Sequence, residues 1–409
     1  DNKTSAILVN YRSTSTNVLN KLNTLFAEFG VYNLDQMKFV TDRGPNIVKA
    51  LQNNIRLNCS SHLLANVLEN SFKESMEIAE LVEMCKKIVK YFKKANLQHH
   101  LQTSLKNQCP TRWNSNFTMF KSIVDNWFSI NEILKEKQES QRLLLINIST
   151  LKQLVDLCSD FEIIFKKLQF CSSPSLCFVI PSIEKMRHIC APQVADVPAL
   201  LTLKEKILNN INEILIPNIC VWQKAACFLF PPALQMQPND QDAIKKFCIL
   251  QIKYLDVTST SSAQISQSTP NCDTSEFSFE SSTISIDRCS TSTQVDKDEN
   301  VSFFFPNLIK KSTLNSFKTP EDEMEGYCRE IVDIGDEFDV LKWWKDKEQT
   351  YPRLSKFALK VHSMPASSAA AERGFSLAGN VITEKRNRLC PKSVDSLIFL
   401  NSYYKAFGH

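Results

Sequence analysis

The hydrophobic pattern of the chain changes near Phe72. Before this point, short apolar runs that read as strands lie at residues 3–9, 37–41 and 55–59. Each run is followed by a stretch of helical periodicity. After this point, helical spacing of apolar residues covers residues 117–137, 143–168, 183–188 and 200–214. Alternating strands and helices favour an α/β unit, and a series of amphipathic helices favours an all-α one. We therefore predict an α/β core joined to a large helical domain.

A Ser- and Thr-rich stretch at residues 257–300 has few large aliphatic side chains and no period. This composition predicts a disordered linker or a long surface loop. The chain has 409 residues, which is enough for two or three domains. The predicted divisions are residues 1–115, 116–256, 257–300, 301–340 and 341–409.

Composition excludes several classes of protein. The 14 cysteines form no CxxC pair, and the chain starts without a signal-like segment, so we expect reduced thiols in an intracellular setting. We expect no membrane partner, because no uncharged apolar run is long enough to span a bilayer. The net charge of +4 permits a nucleic-acid partner without requiring one. The first residue is not methionine, which suggests a fragment, a processed chain or an incomplete gene sequence.

Two features of the first half carry charge at places where ligands bind. Asp42 follows the apolar run 37–41, so its carboxylate is expected at the rim of a sheet; locally it also fits a turn cap before Gly44. Lysines crowd one side of the helical stretch that follows residue 76. That side fits a solvated face or a surface that contacts phosphates. The lysines are Lys86, Lys87, Lys90, Lys93 and Lys94.

Two short motifs combine residue types that serve chemistry or packing. Cys59 and His62 form a CxxH pair, but a zinc site needs further ligands and no second pair lies nearby. We expect no zinc site there; the motif favours a packed thiol and a hydrogen-bonded histidine at a junction between a strand and a helix. Arg112 and Trp113 follow a proline; an arginine suits phosphates and a tryptophan offers a face for an unpaired base. A core tryptophan at the start of a helix is the alternative.

Near the C-terminus, the stretch SMPASSAAAERGFSLAG embeds Glu372 among small residues. Ser367 or Ser368 fits the N-cap of a helix, which places Glu372 in the first turn. An acid there is favourable for the helix dipole alone, so on local grounds Glu372 is a surface charge. The alanines around it leave room for another backbone to approach closely.

Four stretches, in order along the chain, resemble the hAT transposase superfamily, the hobo, Activator and Hermes group. FVTDRGPNIVKAL resembles the segment that carries the second catalytic aspartate, and RLNCSSHLLANVL resembles the segment with the C/D-x-x-H motif. CPTRWNSNFTMF resembles the Arg-Trp motif that precedes a helical insertion. The region from residue 341 onwards resembles the hAT C-terminal dimerisation region. The resemblance covers most of the chain.

The resemblance implies an RNase H-like core interrupted by a helical insertion. Residues 1–115 would form part of that core, 116–256 and 301–340 the insertion, and 341–409 the dimerisation region that completes the core. By the same resemblance, Asp42 and Glu372 are catalytic acids that hold Mg²⁺ or Mn²⁺, and Trp113 stacks against a flipped base. Two-metal sites of this kind promote phosphoryl transfer. Arg112, Lys86, Lys90, Lys93 and Lys94 would contact DNA.

The match fails at the first catalytic aspartate, for which the chain offers no candidate. The core is therefore expected to be incomplete at the N-terminus. We expect a nuclear, transposase-derived protein that dimerises or forms a higher homo-oligomer, binds DNA and has lost catalysis. The alternative is a fragment of an active DDE-type cut-and-paste transposase, which would bind its terminal inverted repeats. The residues expected to form the dimer interface are Leu389, Val394, Leu397, Ile398 and Leu400.

Overall fold

A computed structural model of the chain describes residues 14–35, 37–108, 114–234, 241–265, 317, 319–330, 338–382 and 389–407. Over residues 257–265 only the course of the backbone is described. The predicted strand at 3–9, residues Arg112 and Trp113, and most of the predicted linker lie outside these ranges. Within them the protein is mainly helical, with two strands.

The described part divides into two compact units. The first comprises residues 1–230 and 360–409. Its elements in chain order are α1 (Ser15–Glu28), β1 (Lys38–Thr41), α2 (Pro45–Ala50), β2 (Ile55–Asn58), α3 (Ser60–Glu74), α4 (Met76–Lys94), α5 (Asn114–Asp125), α6 (Trp127–Glu136), α7 (Ile148–Gln169), α8 (Val179–Ile189), α9 (Pro198–Asn210) and α10 (Val221–Phe228), and, from the end of the chain, α15 (Ala369–Val381) and α16 (Pro391–Phe407).

The second unit comprises residues 231–359. It contains α11 (Gln241–Ile265), α12 (Pro320–Cys328), α13 (Val340–Asp346) and most of α14 (Pro352–His362). Helix α11 extends to Ile265, nine residues into the stretch predicted as linker. Once a helix is established each further residue adds a backbone hydrogen bond at little cost, so an amphipathic helix can run on into a polar sequence.

Strands β1 and β2 are parallel, with Thr41 opposite Asn58. Their C-terminal ends therefore meet at one edge of the sheet. Arg56 of β2 forms hydrogen bonds to the end of β1 at this edge. Its Nη1 atom donates to Thr41 Oγ1 and to the Asp42 carbonyl, both at 3.1 Å. All four residues of β1 are only half-buried. Parallel strands normally occur in sheets that are covered on both faces. The partial exposure of this two-stranded sheet is therefore typical of strands that belong to a larger sheet.

Behind the sheet, α3 forms the centre of the helical packing in the first unit, where it contacts α4, α7 and α9. Its inward face is a stripe of fully buried side chains, among them Leu63, Leu64, Val67 and Leu68. The predicted helical stretch 117–137 is broken at Asn126, whose side-chain amide donates to the carbonyls of Thr103 and Ser122. This amide competes with the helical ladder and separates α5 from α6.

Candidate functional site

Asp42 lies directly after β1, as predicted. Its Oδ1 atom accepts a hydrogen bond from the Gly44 amide at 3.1 Å, so it also forms the turn that local reasoning allowed. A Cβ atom on Gly44 would lie 3.2 Å from the same oxygen, so a larger residue there would crowd the turn. The side chain is exposed at the C-terminal edge of the sheet. Asp42 therefore serves the turn with one carboxylate oxygen and leaves the carboxylate accessible to a ligand.

Cys59 and His62 occupy the junction between β2 and α3. The Cys59 amide donates to the Thr41 carbonyl at 2.7 Å, which holds the junction against the end of β1. Cys59 is the residue before the first turn of α3 and is 1% exposed. His62 lies in that first turn, with its side chain 41% exposed. The CxxH motif thus places a buried thiol and a partly exposed imidazole at the edge that carries Asp42.

The start of α15 is bonded to this junction. The Ser60 amide donates to the Ala366 carbonyl at 2.9 Å, and the Ser368 amide donates to Cys59 Sγ at 3.3 Å. Ser368 is the N-cap residue by position, but Ser367 provides the capping oxygen, which accepts from the Ala369 amide at 3.1 Å. These bonds explain how a segment from the far end of the chain comes to lie beside the end of β1.

Glu372 lies in the first turn of α15, as the sequence predicted. Its Oε1 atom is 3.7 Å from His62 Nδ1 and accepts a hydrogen bond from Ser368 Oγ at 3.3 Å. The side chain is 56% exposed. The guanidinium of the next residue, Arg373, donates to the Gln169 carbonyl at 3.4 Å, which ties α15 to the end of α7. Glu372 is thus accessible to solvent and adjacent to the CxxH histidine.

Electrostatics link the two acids through His62. The pKa of His62 is raised, chiefly by its hydrogen bond with Cys59, against the effect of burial; the negative charges of Cys59, Glu372 and Asp42 raise it further. Burial raises the pKa of Cys59, but hydrogen bonds from His62, Ser367 and Ser368 outweigh it and lower the value to about 7. Asp42 and Glu372 therefore act on the same imidazole, although they come from opposite ends of the chain.

The donor set suits a hydrated hard cation better than zinc. Mg²⁺ binds through one or two carboxylates and keeps several waters, and both Asp42 and Glu372 present accessible carboxylates. Among the described residues, Cys59 and Glu372 are the neighbours of the His62 imidazole. Within the same residues, no group of three or more His, Cys, Asp or Glu side chains is arranged to hold a metal. The described residues thus offer two accessible carboxylates, Asp42 and Glu372, of the oxygen type that Mg²⁺ prefers.

The predicted lysine face lines a groove on the same unit. A cavity of about 610 Å³ runs along α4 and is bordered by four of the predicted lysines, while Lys87 does not border it. The opposite side of the cavity comes from residues just before the Arg-Trp motif. The lining residues are Lys86, Lys90, Lys93, Lys94, Val89, Asn107, Gln108 and Met119.

The residues predicted to form a dimer interface divide into two groups. Leu389, Leu397 and Leu400 are between 36% and 46% exposed, and Ile398 is half-buried. Val394 differs, because it is 7% exposed and is covered by the chain itself. Helix α16 also exposes three aromatic side chains that the prediction omitted: Phe399, Tyr403 and Tyr404.

Several residues that shape these sites were not singled out from the sequence. Arg56 lies in the middle of β2, and nothing local indicates that it bonds the ends of both strands. Asn107 and Gln108 precede the Arg-Trp motif, and their place on the groove depends on packing between α4 and α5. The aromatic residues of α16 gave a local signal, since Phe399 and Tyr403 are four residues apart and so lie on one face of a helix.

Among the described residues, no helix combines the length and the apolar character needed to cross a membrane.

Comparison with known proteins gives one family match and several relatives. Residues 323–404 match the hAT family C-terminal dimerisation region. The transposable element Hobo transposase of Drosophila melanogaster is 47% identical over 399 residues, which cover 89% of this chain and 59% of the relative. The chain thus spans about three fifths of the length of that transposase.

Two plant proteins match a shorter stretch. The zinc finger BED domain-containing protein DAYSLEEPER of Arabidopsis thaliana is 35% identical over 95 residues, or 23% of this chain and 13% of the relative. The putative AC transposase of Zea mays is 33% identical over 86 residues, or 21% of this chain and 11% of the relative.

Proposed function

The chain belongs to the hAT superfamily of transposases, and its residues 323–404 match the C-terminal dimerisation region of that family. We propose that it is a transposase-derived protein that acts by self-association and DNA binding without cleaving DNA. The observation that carries this proposal is the position of Glu372. It lies 3.7 Å from His62, and the charges of both Glu372 and Asp42 raise the pKa of that histidine. This is the neighbourhood expected of two acids from one RNase H-like site.

An RNase H-like core accounts for several local features. It explains a parallel strand pair with an acid at its end, helices behind it, and a glutamate supplied by a helix from the end of the chain. It also explains the half-exposed strand β1, because the rest of such a sheet would cover it. The predicted divisions of the chain belong to the same proposal.

Asp42 and Glu372 would hold Mg²⁺ or Mn²⁺, and the bound metal would activate water or a 3′-hydroxyl for phosphoryl transfer. Neither carboxylate is buried, so each must compete with solvent for the metal. Two accessible carboxylates give weak affinity, which is why we propose an inactive site.

DNA binding would depend on the lysine groove together with Arg112 and Trp113. Salt dependence is the signature of such binding, because each phosphate contact releases counterions. A DNA partner implies a nuclear location. The second candidate function is DNA cleavage and strand transfer by a fragment of an active transposase. It is favoured by the 47% identity to a transposase and by the presence of Asp42 and Glu372 in this chain.

Self-association is tested by sedimentation equilibrium at micromolar concentration. We expect a dimer or larger oligomer, and we expect L397D together with L400D to raise the dissociation constant at least about tenfold, since a charge would be placed in an apolar interface. Asn401, which is exposed on the same helix, gives the control N401D, with little expected change. A strictly monomeric wild-type chain would remove the basis of the proposal.

A further inference from the structure

The segment that carries Glu372 is attached at two points to the end of α7 and the loop that follows it. Before Glu372, the Ala366 amide donates to Ser175 Oγ at 3.0 Å. After it, the Arg373 guanidinium donates to the Gln169 carbonyl at 3.4 Å. Ser175 and Ala366 are each 1% exposed, so water does not compete for the bond between them. Glu372 therefore lies between two attachments to the same part of the chain.

Ala366 joins this loop to the end of the sheet. Its amide donates to Ser175, and its carbonyl accepts from the Ser60 amide at 2.9 Å at the junction between β2 and α3. Both polar groups of its backbone are thus used, and its side chain is buried. The residue that leads into α15 is fixed from two sides before any ligand is bound.

Asp42 is connected to the same part of the chain by a row of side-chain hydrogen bonds. Arg56 donates to Thr41 and to the Asp42 carbonyl through Nη1, and its Nη2 atom donates to Asn58 Oδ1 at 2.8 Å. The Asn58 amide in turn donates to Asn218 Oδ1 at 3.1 Å. Asn218 therefore holds the orientation of Asn58, and Asn58 holds the guanidinium that bonds the start of the Asp42 turn.

Asn218 reaches the end of β2 because the chain departs from α-helical geometry after α9. Ile211–Leu215 form a π-helical turn, and Ile216–Asn218 form a 3₁₀ turn. The Asn218 side-chain amide donates to the Ile214 carbonyl at 2.7 Å, which leaves its oxygen to accept from Asn58. π-Helical turns occur frequently at functional sites. Here the irregular turn places one side-chain oxygen at the edge of the sheet.

The irregular turn is itself anchored to α3 on both sides. Before it, Asn210 is 4% exposed and donates to Ser71 Oγ at 3.1 Å. After it, Gln223 is 0% exposed and donates to Ser60 Oγ at 3.2 Å. Asn218 lies between these two buried anchors, so its position relative to α3 is fixed.

The attachments of the two acids share one origin. Gln169, Ser175 and Asn218 all lie within residues 116–256, the stretch predicted as the helical insertion. Two exposed carboxylates bind a cation more tightly when the backbone that carries them is already ordered, because less conformational entropy is then lost on binding. Groups behind the metal ligands commonly supply that order, and their loss weakens metal affinity.

We propose that Ser175 and Asn218 are positioning residues for a divalent cation bound by Asp42 and Glu372, so that the helical insertion sets the relative position of the two acids. This rests on the proposed function, since the cation is part of it. Ser175 acts through Ala366, and Asn218 acts through Asn58 and Arg56.

The test titrates the full chain with Mn²⁺ and measures the free ion by electron paramagnetic resonance. We expect S175A and N218A each to raise the Mn²⁺ dissociation constant about fivefold, since each removes one hydrogen bond that orders the segment of an acid. D42N and E372Q should raise it further, because each removes the charge of a ligand.

Two matched controls remove the same chemical groups elsewhere in the first unit. Ser182 on α8 is 2% exposed, and its hydroxyl has no hydrogen-bond partner within the described residues. Asn212 lies in the π-helical turn, where it is exposed and accepts from Arg187 at 3.1 Å. S182A and N212A should change the Mn²⁺ dissociation constant less than about twofold, as expected for sites with no shared partner.

Hydrogen exchange of the metal-free chain, followed by mass spectrometry, gives a readout that does not depend on the cation. We expect S175A to speed exchange about fivefold over residues 366–373 and to leave residues 41–44 unchanged, and N218A to do the reverse. A general loss of stability would instead speed exchange in both segments. R373K keeps the charge on an exposed residue and weakens the second attachment, and it replaces S175A if that variant does not fold.

The outcomes separate this inference from the proposed function. If E372Q weakens Mn²⁺ binding while S175A and N218A behave like their controls, the positioning role is wrong and the cation site stands. Equal acceleration of exchange in both segments by either variant would also overturn the positioning role. If neither D42N nor E372Q weakens Mn²⁺ binding, the cation site of the proposed function is rejected, and the positioning role with it.

Discussion

Two glutamates within the hAT dimerisation region have opposite surroundings. Glu323 on α12 is 0% exposed and accepts hydrogen bonds from the amides of Arg353 and Leu354 at 3.1 and 2.8 Å and from the Arg353 guanidinium at 3.2 Å. Glu372 on α15 is 56% exposed and has contacts of 3.3 and 3.7 Å. Both oxygens of the Glu323 carboxylate accept hydrogen bonds that cap α14. The Glu372 carboxylate, in contrast, is accessible to a ligand.

The aromatic side chains of the two regions differ in the same way. Around α13, Trp344, Tyr327 and Tyr351 are buried against one another, with the rings of Tyr327 and Trp344 5.0 Å apart. Trp344 is 0% exposed and is part of the core of its own unit. On α16, Phe399 and Tyr404 are 67% and 65% exposed. The contrast separates a part of the dimerisation region that stabilises its own unit from a part whose apolar surface is available to a second copy.

The largest expected effect tests the glutamates directly. E323A removes a buried acceptor and leaves two helix N-terminal amides and a guanidinium without it, so we expect the free energy of unfolding to fall by about 3 kcal/mol. E372A, on an exposed side chain, should change it by less than about 0.5 kcal/mol. Urea denaturation of the two variants measures both. Similar losses from the two would contradict the distinction between a structural and an available carboxylate.

A pH-dependent effect arises where the chain passes from α14 towards α15. His362 is 2% exposed, and its Nε2 atom lies 3.0 Å from the Leu229 carbonyl. Burial lowers the pKa of His362 to about 4, against the weaker opposing effect of that hydrogen bond. Because the folded state disfavours the proton, the contribution of His362 is complete above pH 6.5 and is lost as the pH falls towards 4.

We therefore expect the wild-type chain to lose about 2 kcal/mol of unfolding free energy between pH 7 and pH 5 through this residue alone. H362Q, which cannot titrate, should lack that part of the pH dependence in urea denaturation. The exposed His188 gives the matched control, and H188Q should retain the wild-type profile. An unchanged profile in H362Q would show that His362 is not held in the neutral form.

The sequence predicted the elements that depend on local patterns. The apolar run 37–41 with its following acid became β1 and Asp42, and the serines before the alanine run became the start of α15. In these places the signals lie within a few residues of the structure that they predict. The relation between Asp42 and Glu372 came from family resemblance, since local evidence made Glu372 a surface acid.

The features that were missed depend on contacts between distant residues. Glu323 belongs to an acidic first turn that reads as solvated, and its burial requires Arg353 and Leu354. Val394 is apolar, as an interface residue would be, and only the packing of the chain shows that it is covered. The groove wall at Asn107 and Gln108 likewise follows from packing between helices rather than from periodicity.

The most direct test of the central claim is a cleavage assay on end-labelled DNA with Mg²⁺ or Mn²⁺, run on the wild-type chain and on E372Q, with DNA binding measured in parallel. We predict that the wild-type chain binds the DNA and produces no nicking above the level of E372Q, because two accessible carboxylates hold the metal too weakly for chemistry. Clear nicking by the wild-type chain that disappears in E372Q would contradict this account and establish an active nuclease site.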